Sequence, residues 1–243
     1  MRLLTYNIHK GIGGLDRRYR LDRIIGVLAR EDADFVCLQE VDRNTGRSGF
    51  DQQPRLLAEA LGSVACLDQF VHPHRGGGYG NLLLSRWPII HTEQISIRKG
   101  RRKRRGALMA SFQTPSGPMF VANAHLGLSE RERHWQIEQL LSNPRFVETL
   151  QLPTLLAFDS NDWRNSLATG PFRRHGFSQV TSPASRFRTF PACLPMAAFD
   201  KIFARGPVEI ESAHVVNTSL ARAASDHLPV VVDFSLRAVP ARS

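Results

Sequence analysis

Seven strand-length apolar runs recur along the chain, and most lie directly beside an acid, an amide or an imidazole. Leu3–Tyr6 leads to Asn7 and His9, and Phe35–Leu38 leads to Gln39, Glu40 and Asp42. Met119–Ala122 leads to Asn123 and His125, and Pro153–Phe158 to Asp159, Asn161 and Asp162. Asp200 stands near the head of Phe199–Ala204, Asp226-His227 lies just before Leu228–Phe234, and the remaining run is Asn81–Leu84. Runs this continuous suit strands that are covered on both faces. Helical spacing appears between them: Leu21–Arg30, Pro54–Leu61 with proline in its first turn, and Ser129–Leu141. Ser129 and Glu132 have the capping-box spacing. Ile89–Val121 lacks a helical pattern and reads as a β meander, punctuated by Pro88 and Pro115-Ser116-Gly117-Pro118. His72 and His74 flank Pro73 and read as loop residues. Sheets with covering helices predict an α/β sandwich, not a simple alternation of strand and helix.

The 243 residues carry no repeat and no low-complexity linker, so 1–243 is read as a single domain. A fold of this length buries about 70–75% of its unfolded surface and needs no covalent staple. Cys37, Cys66 and Cys193 form no CxxC pair, which argues against a disulfide framework or a structural zinc site. No apolar run approaches the ~20 residues of a membrane span. The opening MRLLTYNIHKG has no signal-peptide core, and a cytoplasmic location is expected.

Polar groups at the ends of core strands are costly to bury without partners. In open α/β sheets, strand ends are also where sites assemble. The set here is rich in oxygen donors and includes histidines suited to proton transfer or to stabilising negative charge. Such donors favour magnesium or manganese. Zinc is less attractive because no HxxxH or clustered Cys/His spacing occurs. A hard cation beside imidazole suits hydrolysis of a phosphoester.

At these residues the chain resembles the endonuclease/exonuclease/phosphatase superfamily, which includes deoxyribonuclease I, AP endonucleases, neutral sphingomyelinases and inositol-polyphosphate 5-phosphatases. The motifs follow family order from Leu3 to Phe234: TYNIH at Thr5–His9, LQEVD at Leu38–Asp42, YGNLLLSR at Tyr79–Arg86, NAHL at Asn123–Leu126, FDSNDW at Phe158–Trp163, FDKIF at Phe199–Phe203 and SDHLPV at Ser225–Val230. The resemblance implies an α/β/β/α sandwich of four layers with two packed mixed sheets. It implies catalytic roles for His125, Asp159, Asn161, Asp200 and His227, with Asp200 orienting His227. Asn81 and Asn123 are expected to contact substrate, and Asn7, Glu40 and Asp226 to surround Mg2+ or Mn2+. Whether Asp159 or His227 is the general base stays open at this level. RTFPACLP at Arg188–Pro195 is similar to a bacterial branch of metal-dependent hydrolases, without specifying a substrate. One departure stands out: the family's GDFN reads FDSN, with Phe158 for glycine and Ser160 for phenylalanine. Restoring phenylalanine at 160 is expected to be tolerated or to raise activity.

Arg98–Arg105 holds seven cations in eight residues, and so seven of the chain's ten net positive charges. With no aromatic in the run, base stacking is not indicated there. The segment suits a polyanionic partner, either nucleic acid or anionic lipid. It adjoins no motif that carries chemistry, so it is expected to act on binding alone. The expected function is metal-dependent hydrolysis of phosphodiesters, with nucleic acid favoured. The alternatives are a phospholipid or small-phosphoester phosphodiesterase or phosphatase, and a non-catalytic polyanion-binding protein on the same scaffold.

Overall fold

Alternation along the apolar runs sorts side chains into three apolar layers, which in turn requires four layers of secondary structure. The computed structural model describes residues 1–70 and 77–237, so His72 and His74 lie outside the described residues. In chain order the elements are β1 (Arg2–Asn7), α1 (Leu21–Glu31), β2 (Phe35–Arg43), α2 (Gln53–Ala60), β3 (Ala65–Phe70), β4 (Gly78–Ser85), β5 (Ile89–Ser96), β6 (Gly106–Thr114) and β7 (Gly117–His125). They continue with α3 (Glu130–Leu141), α4 (Pro144–Glu148), β8 (Thr154–Asp159), β9 (Ser178–Gln179), β10 (Asp200–Arg205), β11 (Val208–Val215), α5 (Ser219–Ala224) and β12 (Val230–Leu236). One sheet runs β11-β12-β1-β2-β4-β3 and the other β5-β6-β7-β8-β10-β9. Both are mixed, because β1 pairs parallel with β2 and β7 parallel with β8 while their other pairings are antiparallel.

Successive strand residues point to opposite faces. Thus Leu3 enters the layer between the sheets, and Leu4 packs outward beneath α1, α2 and α5. In the second sheet, Val121 and Leu155 face the first sheet, whereas Ala122 and Leu156 pack under α3 and α4. Helix α1 presents Leu21, Ile24, Val27 and Leu28 as one buried stripe and stops at Asp32, whose left-handed backbone lets its N–H bond back to Leu28. The expected α/β/β/α sandwich is therefore the observed fold.

The sequence pattern missed β3, β9, β11, α4 and α5. β11 is an edge strand with most of its side chains in solvent, so it has no continuous apolar run to betray it. The capping box also does not form. Ser129 occupies the N-cap of α3, but its Oγ has no partner. Glu132 instead accepts from Arg102 Nη1 at 3.2 Å.

The layer between the sheets becomes polar at one end, where Gln39 and Asn123 lock the sheets together. Asn123 is fully buried; its Nδ2 donates to the carbonyls of Leu38 (2.9 Å) and Leu82 (2.8 Å), and its Oδ1 accepts from Gln39 Nε2 (2.8 Å). This corrects the expectation that Asn123 contacts substrate: its amide is already committed to the opposite sheet. Asn123→Ala leaves two carbonyls and an amide N–H of that junction without this partner. We expect it to cost about 3 kcal/mol of stability, read from the denaturant midpoint at unchanged slope, while activity per folded molecule is retained.

Candidate active site

Strand register builds the site. His125 lies beside Asp159 across β7 and β8, and Asp159 lies opposite Asp200 across β8 and β10. Three chemistry-bearing residues thus share one row. Two carboxylates facing each other repel, and the loop before β12 places His227 between them. His227 Nδ1–H donates to Asp200 Oδ2 at 2.8 Å, and its Nε2 lies 3.9 Å from Asp159 Oδ2. Thr189 Oγ1 also donates to Asp200 Oδ2. Burial works against charge on His227, but Asp200 and then Asp159 outweigh it and raise the ring to about 10. Burial also dominates at Asp159 and raises its carboxyl to about 6, against the opposing influence of His227 and the Asn7 amide.

The row continues toward Glu40. Asn7 Nδ2 donates to Asp159 Oδ2 at 2.8 Å, and His125 Nε2 lies 3.2 Å from the same oxygen. His125 Nδ1 in turn lies 3.8 Å from Glu40 Oε1. Burial, then the Arg105 cation, holds His125 well below the usual imidazole value, so the ring is neutral. Glu40 projects from a β-bulge, where the β2–β4 register shifts between Gln39 and Val41 and Glu40 itself has φ +59°. A left-handed non-glycine residue costs roughly 1–2 kcal/mol, and strain of this kind gathers where a side chain must be aimed. His9, Lys10 and Asn161 also have positive φ. Tyr79 OH donates to Glu40 Oε1 at 2.7 Å, and the Lys10 ammonium donates to Oε2. Burial favours protonation of Glu40, but His125 in its protonated form, the Lys10 ammonium and the Tyr79 hydroxyl outweigh it and hold the carboxyl well below the usual carboxylate range.

Asn7, Glu40, His125, Asp159, Asp200 and His227 therefore form one connected line. Asn161 adjoins it through its backbone N–H to Asp159 Oδ1 (3.4 Å), while its side chain donates to the Leu126 carbonyl. Asp226 stands beside His9, at 3.8 Å. Asn81 donates to the Gly106 carbonyl at 3.0 Å, so its NH2 holds the start of β6. Among the described residues, Asp159, Asp200 and His227 form a cluster that could hold a metal ion, with donor atoms within 4.8 Å of one another; Asp200 Oδ1 is buried there without a partner. Glu40 and Asp226 do not join a cluster that tight. Lys10, Tyr79 and Thr189 were missed in the sequence. The first two lie inside the TYNIHKG and YGNLLLSR stretches, so proximity to a motif was the available signal.

The FDSN departure has a packing explanation. Phe158 points away from the site into the layer beneath α3, stacked with Phe172 at a centroid distance of 5.8 Å. Ser160 is fully buried, and its Oγ donates to the Phe199 carbonyl at 2.6 Å. Just beyond it, Asp162 accepts from the N–H groups of Ser166 and Leu167 and pairs with buried Lys201, fixing the turn that carries Asp159 and Asn161.

The basic segment is not remote from the chemistry, contrary to the sequence expectation. Arg105 is buried, with an unpartnered Nε, and its charge acts on His125, Asp159 and Tyr79. Lys103 stands 5.6 Å from the Tyr79 ring centroid. Burial and then Arg105 lower the Lys103 ammonium from its ordinary value. Other members of the segment anchor it: Arg102 pairs with Glu132, and Lys99 donates to the Arg131 carbonyl.

This fold, with acids and imidazoles gathered at the polar end of two packed sheets, defines a class of phosphoesterase scaffold. The chain belongs to the endonuclease/exonuclease/phosphatase family, whose pattern it matches over residues 4–227. It is 30% identical to the uncharacterized protein YbhP of Escherichia coli K12 over 250 aligned positions, covering 97% of this chain and 96% of that one. An endonuclease/exonuclease/phosphatase structure from Beutenbergia cavernae superposes with TM-score 0.78 at 23% identity, covering 99% of this chain and 72% of that one. The human Nocturnin catalytic domain, solved with a bound sulfate anion, superposes with TM-score 0.73 at 21% identity, covering 98% of this chain and 93% of that one. Among the described residues, no helix is long and apolar enough to cross a membrane.

Ser160 allows a direct test of the local packing. Contrary to the sequence expectation, Ser160→Phe forces a ring into a filled position and removes the bond to Phe199. We expect a loss of about 3 kcal/mol in denaturant titration, whereas Ser160→Ala, which loses only the hydroxyl's bonds to the Phe199 carbonyl and from the Asp162 N–H, costs about 1–2 kcal/mol.

Proposed function

We propose that this chain is one catalytic domain that hydrolyses phosphodiesters with Mg2+ or Mn2+, nucleic acid being the favoured substrate. The observation that supports this reading most directly is the Asp200–His227–Asp159 line, an imidazole oriented on one side and facing a second carboxylate on the other. Family membership supports phosphoester hydrolysis in general.

The donor set fits a hard cation. Glu40 stays ionised, and its Oε2 accepts from the Lys10 ammonium, one cation already drawn to this carboxylate. Asn7 and Asp226 add further oxygens, and Mg2+ prefers few protein oxygens with water completing its shell. When bound, the ion offsets phosphoryl charge and stabilises the leaving oxygen.

The protein groups divide the remaining work. Asp159, ionised above about pH 6, takes the proton of the attacking water, with Asn161 beside it. His227, protonated up to about pH 10, directs positive charge at a phosphoryl oxygen. Neutral His125 and the Arg105 guanidinium hold the phosphoryl group, and Asn81 keeps β6 in place beside it. Asp200 acts through His227 and is a positioning residue.

Exhaustive EDTA dialysis should abolish hydrolysis of bis(p-nitrophenyl) phosphate, and Mg2+ or Mn2+ should restore it. Persisting activity would defeat the proposal. The pH profile should be bell-shaped, rising near pH 6 as Asp159 loses its proton and falling near pH 10 as His227 loses its own. Asp200→Asn should move the alkaline limb down, since Asp200 raises His227. Asp159→Asn and His227→Ala should each cost at least ~10²-fold in kcat. Asp200→Asn and His227→Ala should combine far less than multiplicatively.

The basic segment should divide into two roles. Replacing exposed Arg101 and Arg104 with serine should leave turnover of the small diester within about threefold, or ~0.7 kcal/mol. The same change should flatten the log–log salt dependence of duplex-DNA binding by about 0.9 for each phosphate that the segment no longer neutralises. Anionic vesicles assayed in parallel report whether lipid is the partner instead. Arg105→Ser should lower small-diester turnover by at least about tenfold.

A further inference from the structure

A cavity of about 470 Å3 is lined by Lys10, Glu40, Thr45, Arg47, Tyr79 and Lys103, so three cations share its wall. Lys10, Arg47 and Lys103 converge on the ring of Tyr79, with their charged groups 5.5, 5.3 and 5.6 Å from its centroid. Two of the three have carboxylate partners: Lys10 meets Glu40, and Arg47 is gripped by buried Asp42 through two bonds of 2.7 and 2.6 Å. Lys103 has no carboxylate partner among the described residues. Cations crowded onto one ring repel one another. The ring face offsets only part of this. Three lining cations against two carboxylates leave one in excess, which suits the cavity to an anion with several acceptor oxygens.

We propose that this cavity binds a second phosphoryl group of the substrate, a terminal phosphomonoester next to the diester that is cut. The proposal rests on the phosphodiesterase reading for its substrate, but the pocket has its own residues. A phosphomonoester carries about −1.5 to −2 charge at pH 7 and three acceptor oxygens, which matches several converging cations better than a singly charged diester does. Asp42 holds Arg47 in place before any ligand arrives, so little ordering cost remains at that side chain. The pocket therefore selects end-phosphorylated substrates over unphosphorylated ones.

Calorimetry in EDTA with the dinucleotides TpT, pTpT and TpTp tests this without turnover. One of the two end-phosphorylated forms should bind at least about tenfold more tightly than TpT, the scale of a charge-assisted contact. Lys103→Met should reduce that ratio to less than about threefold, and Lys103→Arg should restore it. Lys103 lies on an exposed loop, and thermal melting confirms that each variant folds. Equal affinity of wild type for all three dinucleotides overturns the proposal, as does a preference that survives Lys103→Met. Hydrolysis of bis(p-nitrophenyl) phosphate with Mg2+ is measured separately. If it is absent while the binding ratio holds, the phosphodiesterase reading fails and the phosphomonoester pocket stands.

Discussion

The structure turns on a buried charge arrangement: one imidazolium, His227, held between Asp200 and Asp159. Antiparallel pairing of β8 with β10 places the two carboxylates directly opposite each other, with Asp200 fully buried and Asp159 almost so. Burying each ion costs several kcal/mol, and close geometry with full hydrogen bonding is what repays it. The repayment here comes from elements far apart in sequence: Asn7 from β1, Thr189 from the loop ahead of β10, and His227 ahead of β12. Removing one partner leaves a charge stranded, so the two sheets must meet in this register for the site to exist. The same arrangement separates the proton affinities of Asp159 and His227, with the carboxyl at about 6 and the ring at about 10, and this gives the two groups different tasks over a wide pH range.

The inter-sheet layer explains how such charge coexists with a dry core. Along one face of β7 the residues run Met119, Val121, Asn123, His125, and along one face of β8 they run Leu155, Ala157, Asp159. The apolar part packs the sheets together. Gln39 and Asn123 then form a neutral junction, with every contact a hydrogen bond of 2.8 to 3.3 Å. Only beyond that junction do ionisable groups appear. The amides separate hydrocarbon from charge at a cost far below that of a buried ion, because most of their donors and acceptors are met.

Much of this was legible in the sequence. Apolar runs ending in polar residues located β1, β2, β7, β8, β10 and β12, and those strands carry or flank the site. The resemblance put both Asn123 and His125 at the substrate, whereas the hydrogen bonds of the Asn123 amide run to the opposite sheet. Asn123 and His125 do share a face, but a step of two residues moves a side chain nearly 7 Å along the strand, from the sealed junction to the site. Exposed edge strands such as β11 had no apolar signature. The capping spacing at Ser129 was met in letters only, because Glu132 found a stronger partner in Arg102. Charge–charge attraction across the fold outweighed a local hydrogen bond that sequence spacing alone suggests.

The basic segment shows the same limit more sharply. Its composition marks an anion-seeking stretch, but composition does not say which cations turn inward. That is decided where the segment enters β6: Arg105 immediately precedes the strand and is drawn under it, while Lys103 reaches across to Tyr79. Gly106 follows, and a Cβ there would come within 2.2 Å of Gln69 Oε1, so any larger residue requires the Gln69 amide to move. Asn81 binds the carbonyl of that same glycine, tying the entry of the basic segment to β4. Hence a surface feature defined by charge and a catalytic line defined by burial are joined at one residue pair. The cations that could have been a solvated loop become part of the electrostatic field in which Asp159 and His125 operate.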